Sequence, residues 1–257
     1  FKASGINSRY VINKSGVLDP ERLAPRIPER SNEEQSIQCE IAVAAAKQAM
    51  ANANKKPEDI DGVIVACSNM QRAYPAVAIE VQQALGIQGF AFDMNVACSS
   101  ATFGIMNASN ALLGGTAKGV LVICPEFVSP QLNYRDRDSH FIFGDVATAV
   151  VVEKEETATS DHSFRLLAQK PITTFSNNMR SNFGHTNKCT PATEHAKDKM
   201  FVQQGRKVFK EVSPMVASII NEHLSENEIA PDDLKQMWLH QANLSMNQLI
   251  AKRVLGR

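Results

Sequence analysis

The sequence predicts an α/β protein of alternating helices and strands, and three observations lead there. Apolar residues recur at helical spacing in several stretches, and short, strand-length apolar runs separate those stretches. At 257 residues and 44% hydrophobic, the chain can also bury a sizeable core. The first helix is read over 36–54, SIQCEIAVAAAKQAMANAN, followed by DIDGVIVACS (59–68), a turn entering a buried strand. The order repeats as AVAIEVQQALG (helix), GFAFDMNVA (strand), SSATFGIMNASNALLGG (helix) and KGVLVICPE (strand). HFIFGDVATAVVVEK holds two β-rich runs around Gly144 and Asp145, which suggests an antiparallel hairpin or a strand pair at a sheet edge.

After residue 155 the composition changes, and 156–200 reads as polar and irregular. Order returns with a long helix from about Gly205, expected to break near Pro214, then a loop, a short strand ending at WLHQAN and a further helix. Two related halves are expected, 1–155 and 156–257, with a Pro-rich and charged segment at 15–35 that reads as lid-like. The chain begins at Phe1, and AKRVLGR reaches no convincing stop, so both ends are expected to be truncated.

Lys plus Arg equals Asp plus Glu at 27 each, so net charge gives no reason to expect nucleic acid or an anionic membrane as partner. No apolar stretch has membrane-spanning length, and a cytoplasmic setting is the default expectation. Five cysteines without a CxxC pair argue against a disulfide framework or a zinc ribbon. Cys189 and His195, two potential ligands in a polar loop, do not make a closed metal site.

NVACSSATFG carries the sharpest chemical signal, because a buried strand runs into Cys98 and then into a helix rich in small residues. The positive end of a helix, or a nearby cationic histidine, would stabilise a thiolate there. Free cysteines are nonetheless most often buried small hydrophobes, and the local pattern does not separate the two readings. WLHQAN is the second signal, placing His240 at the end of an apolar run where polar groups commonly face a cleft. A lone histidine is more often structural.

The two signals join in a family resemblance. VACSSATFG, IFGD (Ile142 to Asp145), GRKVFK (Gly205 to Lys210) and LHQAN (Leu239 to Asn243) stand in the order seen in beta-ketoacyl-ACP synthase III, and SGINSRYVI looks like that family's opening segment. The resemblance implies a thiolase-like layered αβαβα fold and a decarboxylative Claisen condensation of an acyl-CoA primer with malonyl-ACP. It implies Cys98 as the acyl-accepting nucleophile and His240 as its partner, with a third catalytic residue, an Asn, beyond residue 257. It further implies Arg137 and Asn243 as acyl-CoA-binding positions and Tyr74 and Phe103 as acyl-pocket residues. For docking an acidic acyl carrier protein it implies Arg206, Lys207, Lys210, Lys252 and Arg253, although such charges are usually solvated helix faces. No metal or redox cofactor is expected, acyl-CoA and malonyl-ACP being substrates, and a homodimer is expected. The 15–35 segment, with flexible methionines nearby, suggests a medium-chain primer. Alternatives are another thiolase-superfamily condensing enzyme, or a catalytically silent carrier-binding scaffold of the same fold.

Overall fold

A computed structural model describes residues 4–189 and 196–256. The chain forms two compact units, one of residues 27–128 and 144–169, the other of residues 4–26, 129–143 and the described part of 170–256. The units are interleaved, and the boundary read from composition at 155/156 falls inside the first of them.

The unit containing Cys98 is a three-layer sandwich. Its sheet has the order β2-β1-β3-β4, from β1 (Gly62–Ala66), β2 (Phe90–Met94), β3 (Gly119–Glu126) and β4 (Val146–Glu153). Both neighbours of β1 run parallel to it, and β4 closes the sheet antiparallel to β3. Strand β1 is buried along its whole length and feeds two cores because its side chains alternate between faces. Val63 and Val65 pack with Ala42, Ala46, Val77 and Val81 of α1 (Ile37–Asn52) and α2 (Val77–Leu85). Ile64 and Ala66 pack with Ala108 and Leu112 of α3 (Ser100–Leu113). Gly104 lets α3 lie close to the sheet, since a Cβ there would come within 2.7 Å of a Val122 methyl and 3.1 Å of the Ala66 Cβ.

Helix α1 is capped by the Ser36 side chain, which accepts from the Cys39 N–H. The residue before α2 is Ala76, which has no side-chain acceptor, and Asp93 of β2 takes the role instead. Its carboxylate accepts from the N–H groups of Val77 and Ala78 at 2.8 and 2.7 Å. Replacing Asp93 by alanine is therefore expected to cost about 1–2 kcal/mol, read as a lower denaturation midpoint in urea.

The expected hairpin around Gly144 does not form. Only its second run is a strand, and the partner of that strand is β3. Residues 139–142 are held in turns, with His140 N–H donating to Asp136 C=O and Ile142 N–H to Ser139 C=O. The guanidinium of Arg9 donates to the carbonyl of Ile142 at 2.8 Å, so that carbonyl is unavailable to a ladder.

In the second unit, α4 (Gly205–Glu226) and α5 (Leu244–Leu255) pack through Ala217, Leu224, Ile250 and Val254. Helix α4 runs unbroken through Pro214, contrary to the expected break. Pro214 is exposed, so the Lys210 carbonyl that lacks its helical donor faces water, and the Ser213 hydroxyl supplements the ladder by donating to Phe209 C=O. The stretch before His240 is irregular rather than a strand, because no described strand pairs with it. Leu239 and Met237 instead pack against the α4–α5 core. A two-residue pair, β5 (Met179–Arg180) with β6 (Val202–Gln203), is the regular structure bordering the polar region. Residues 15–26 are ordered by turn hydrogen bonds, such as Ala24 N–H to Gly16 C=O, and by an Arg26–Asp19 ion pair at 2.7 Å. No helix among the described residues is long and apolar enough to cross a membrane.

Candidate active site

Cys98 stands in a tight turn, Ala97–Ser99, between the end of β2 and the start of α3. The turn is clamped from both sides. Asn95 Oδ1 accepts from the Ala97 N–H at 2.8 Å, while the Ser100 hydroxyl accepts from Val96 N–H and donates to Ala97 C=O. Ala97 is forced into the left-handed region with φ of 47°, a conformation a non-glycine residue keeps only where its surroundings impose it. This geometry lifts the thiol out of the core. Cys98 is exposed, whereas Cys39 and Cys67 are buried.

An opening to solvent does not make Cys98 a resting thiolate. Protein atoms around the sulfur desolvate it and push the thiol up, the Glu126 carboxylate pushes in the same direction, and the residue's own N–H pulls it down. The same burial and the same Glu126 push Cys124 to about 11. A thiol held up in this way needs a base or the amides at the start of α3 at the moment of attack.

His240 belongs to the other unit, just before α5. Its carbonyl accepts from the Asn247 amide at 3.0 Å, which ties it to that helix. The residue is exposed, yet its ring is desolvated enough to lower its pKa, and the positive Arg9 adds to the effect. Both effects favour the neutral imidazole, which can donate one N–H and accept at the other nitrogen.

Asn243 is the N-cap of α5, its Oδ1 accepting from Met246 N–H at 3.0 Å. With Gly205, Arg206, Phe209 and Lys210 it lines a cleft of about 350 Å³. Arg206, Lys207 and Lys210 are exposed on the first two turns of α4, where positive charge opposes the helix dipole, so helix stability does not explain them. Lys252 and Arg253 occupy the last turn of α5, where the dipole favours them and a structural role is sufficient. The structure thus gathers Arg206 and Lys210 with Asn243, and leaves Lys252 and Arg253 at the other end of a 12-residue helix.

Tyr74 is 84% exposed, Phe103 is half-buried on α3 beside the core-facing Gly104, and Arg137 is exposed in a turn. Arg9, Ser68, Asn95 and Glu126 carry site geometry that the sequence did not assign. Arg9 lay within the quoted SGINSRYVI segment and Asn95 within NVACSSATFG, so motif position was the available signal for those two. His195 lies outside the described residues, and among the described residues no three His, Cys, Asp or Glu side chains cluster as a metal site.

The chain is similar to known proteins in sequence and in fold. The family model for 3-oxoacyl-[acyl-carrier-protein] synthase III matches residues 92–169. Beta-ketodecanoyl-[acyl-carrier-protein] synthase of Pseudomonas aeruginosa is 59% identical over 256 residues, covering 100% of this chain and 73% of that protein. The chain belongs to the 3-oxoacyl-ACP synthase III family. A synthase III of Brucella anthropi is 36% identical over 221 residues, covering 83% of this chain and 65% of the relative. The crystal structure of the Aquifex aeolicus synthase III superposes with a TM-score of 0.73 at 27% identity, over 89% of this chain and 69% of that one. The Pseudomonas aeruginosa PAO1 synthase III structure, at 23% identity and a TM-score of 0.68, covers 84% of this chain and 64% of its own and attests the shared fold. Synthase III membership makes this chain part of an acyl-transferring condensing enzyme with the thiolase-like fold.

Proposed function

We propose that the enzyme condenses an eight-carbon acyl-CoA with malonyl-ACP to give 3-oxodecanoyl-ACP, carbon dioxide and free CoA. The observation that carries the reading is the 59% identity over 256 residues to a beta-ketodecanoyl-ACP synthase, since a ten-carbon product is two carbons longer than an octanoyl primer. In the first half-reaction the Cys98 sulfur attacks the thioester carbonyl of octanoyl-CoA. The CoA thiolate leaves with the proton lost from Cys98, and octanoyl-Cys98 remains. The N–H of Cys98 and the amides opening α3 are suited to hold the oxyanion.

In the second half-reaction malonyl-ACP loses carbon dioxide, and its thioester oxygen takes up negative charge. A neutral His240 donates an N–H to that oxygen, alongside the Asn side chain that the family resemblance implies. The carbanion carbon then attacks octanoyl-Cys98 and expels the Cys98 thiolate, which takes up a proton from solvent to restore the starting thiol. The reaction as written uses no metal or redox group.

Arg137 and the amide of Asn243 are assigned to acyl-CoA, and Tyr74 and Phe103 to the acyl chain. Arg206, Lys207 and Lys210 are assigned to the acidic carrier protein, with Lys252 and Arg253 as outlying charges of the same sign. The edge strand β2, with Phe92 38% exposed, is suited to pair with a second copy in a homodimer. A cytoplasmic setting fits the redox requirement of a free thiol nucleophile.

Chain length is tested directly by loading the full-length enzyme with acetyl-CoA or octanoyl-CoA and reading the mass of the Cys98 peptide. Octanoyl transfer is expected to be at least about tenfold faster, the discrimination that a methylene-by-methylene apolar pocket reaches readily. Faster acetyl loading would overturn the medium-chain assignment and leave the condensing reaction standing.

A further inference from the structure

The carboxylate of Glu126 lies outside the catalytic pair, yet it is joined to the nucleophile turn by a continuous run of hydrogen bonds. Glu126 ends β3, and its two carboxylate oxygens accept from Ser68, one from the backbone N–H at 3.0 Å and one from the hydroxyl at 2.6 Å. Ser68 follows β1, the parallel neighbour of β3. Its carbonyl accepts from the Asn95 Nδ2 at 2.8 Å, and the Oδ1 of the same Asn95 accepts from the Ala97 N–H at 2.8 Å. The ends of three adjacent strands are thereby tied in series, and the last tie falls on the strained residue preceding Cys98.

We propose that Glu126 is a positioning residue for the nucleophile: through Ser68 and Asn95 its carboxylate fixes the turn that aims Cys98. This rests on the reading of Cys98 as the acyl-accepting nucleophile. A neutral side chain would hold Ser68 less firmly, since bonds to an ionised acceptor are roughly twice as strong as neutral ones. The charge has a second effect. Burial outweighs the two bonds from Ser68 and holds the Glu126 carboxyl above its usual range, and in its anionic form it opposes ionisation of the thiols around it. The titratable groups facing it in this unit are Cys67 after β1, Cys124 on β3 itself and Cys98, while Asp93 on β2 faces Cys67. A thiol kept protonated at rest is shielded from adventitious alkylation, and its thiolate, once formed, is the more nucleophilic for its higher pKa.

The test uses the full-length enzyme and two readouts at Cys98. One is the pH midpoint of iodoacetamide alkylation, followed on the isolated Cys98 peptide because Cys189 is also exposed. The other is the rate of octanoyl transfer from octanoyl-CoA. Glu126→Gln is expected to move the alkylation midpoint to lower pH and to slow acyl transfer about tenfold, the scale on which sub-ångström misplacement of a nucleophile acts. Asn95→Ala leaves the charge in place, so it is expected to slow transfer similarly at an unchanged midpoint. Wild-type midpoint and rate in Glu126→Gln would overturn the proposal. Wild-type transfer in Asn95→Ala would overturn the relay through Asn95. If Glu126→Gln fails to fold, Ser68→Ala takes its place, with slowed transfer supporting the proposal and an unchanged rate overturning it. Absence of any acyl group on wild-type Cys98 would instead sink the functional reading, and the alkylation midpoint would still report on Glu126.

Discussion

Replacing Cys98 by serine is expected to lower condensation on the order of 10⁴-fold or more, with no acyl group on position 98 by intact-mass measurement. The substitution exchanges one small polar atom for another in an exposed turn, so the far-ultraviolet circular dichroism should not change. The size of the effect follows from the environment. Desolvation of the sulfur by neighbouring protein atoms and Glu126 already hold the thiol up, so the wild-type residue depends on the intrinsic nucleophilicity of sulfur and on the amides at the start of α3. A serine hydroxyl, several pKa units higher, has no comparable means of ionising there. Activity within about tenfold of wild type, or acylation at another residue, would remove Cys98 from the mechanism.

Replacing His240 by alanine is expected to cost 100- to 10 000-fold in condensation, roughly the span of acid–base and oxyanion groups. Acylation of Cys98 should survive better than carbon–carbon bond formation, because His240 is assigned to the enolate. The pH profile gives a sharper reading. A group with its pKa lowered below the ordinary 6.5 stays neutral as pH falls through that value and is protonated only further down. If the neutral donor is the working form, condensation persists through pH 6.5 and falls off on the acid side of it. Loss of activity centred above pH 6.5, with Cys98 loading intact, would contradict the neutral-histidine assignment.

The parts of the fold legible in the sequence are those fixed by local pattern. VIVA in β1 and VLVI in β3 read as buried strands because both faces are covered, and α1 and α3 read as helices from their small apolar residues at helical spacing. Residues 140–143 misread as a strand because His-Phe-Ile-Phe has strand composition, whereas a distant guanidinium takes the carbonyl that a ladder would use. Pro214 misread as a break because exposure of its face, which lets water serve the stranded carbonyl, is not a local property. At the candidate site, the motif pattern singled out Cys98 and His240. Glu126 was invisible because its partner Ser68 is 58 residues away along the chain and adjacent only across the sheet. The depressed pKa of His240 was equally hidden, since it depends on burial and on Arg9 at the opposite end of the sequence.

The interleaving of the two units also orders events in time. Everything that builds the Cys98 sandwich lies between residues 27 and 169, with 129–143 looped out, so this unit can condense while the remainder is still being synthesised. The opening segment must wait, because the Ser4 carbonyl finds its donor at Leu244, and that closure spans nearly the whole chain. The Cys98 unit therefore draws only on residues 27–169, whereas the unit that carries His240 also needs the opening segment of the chain.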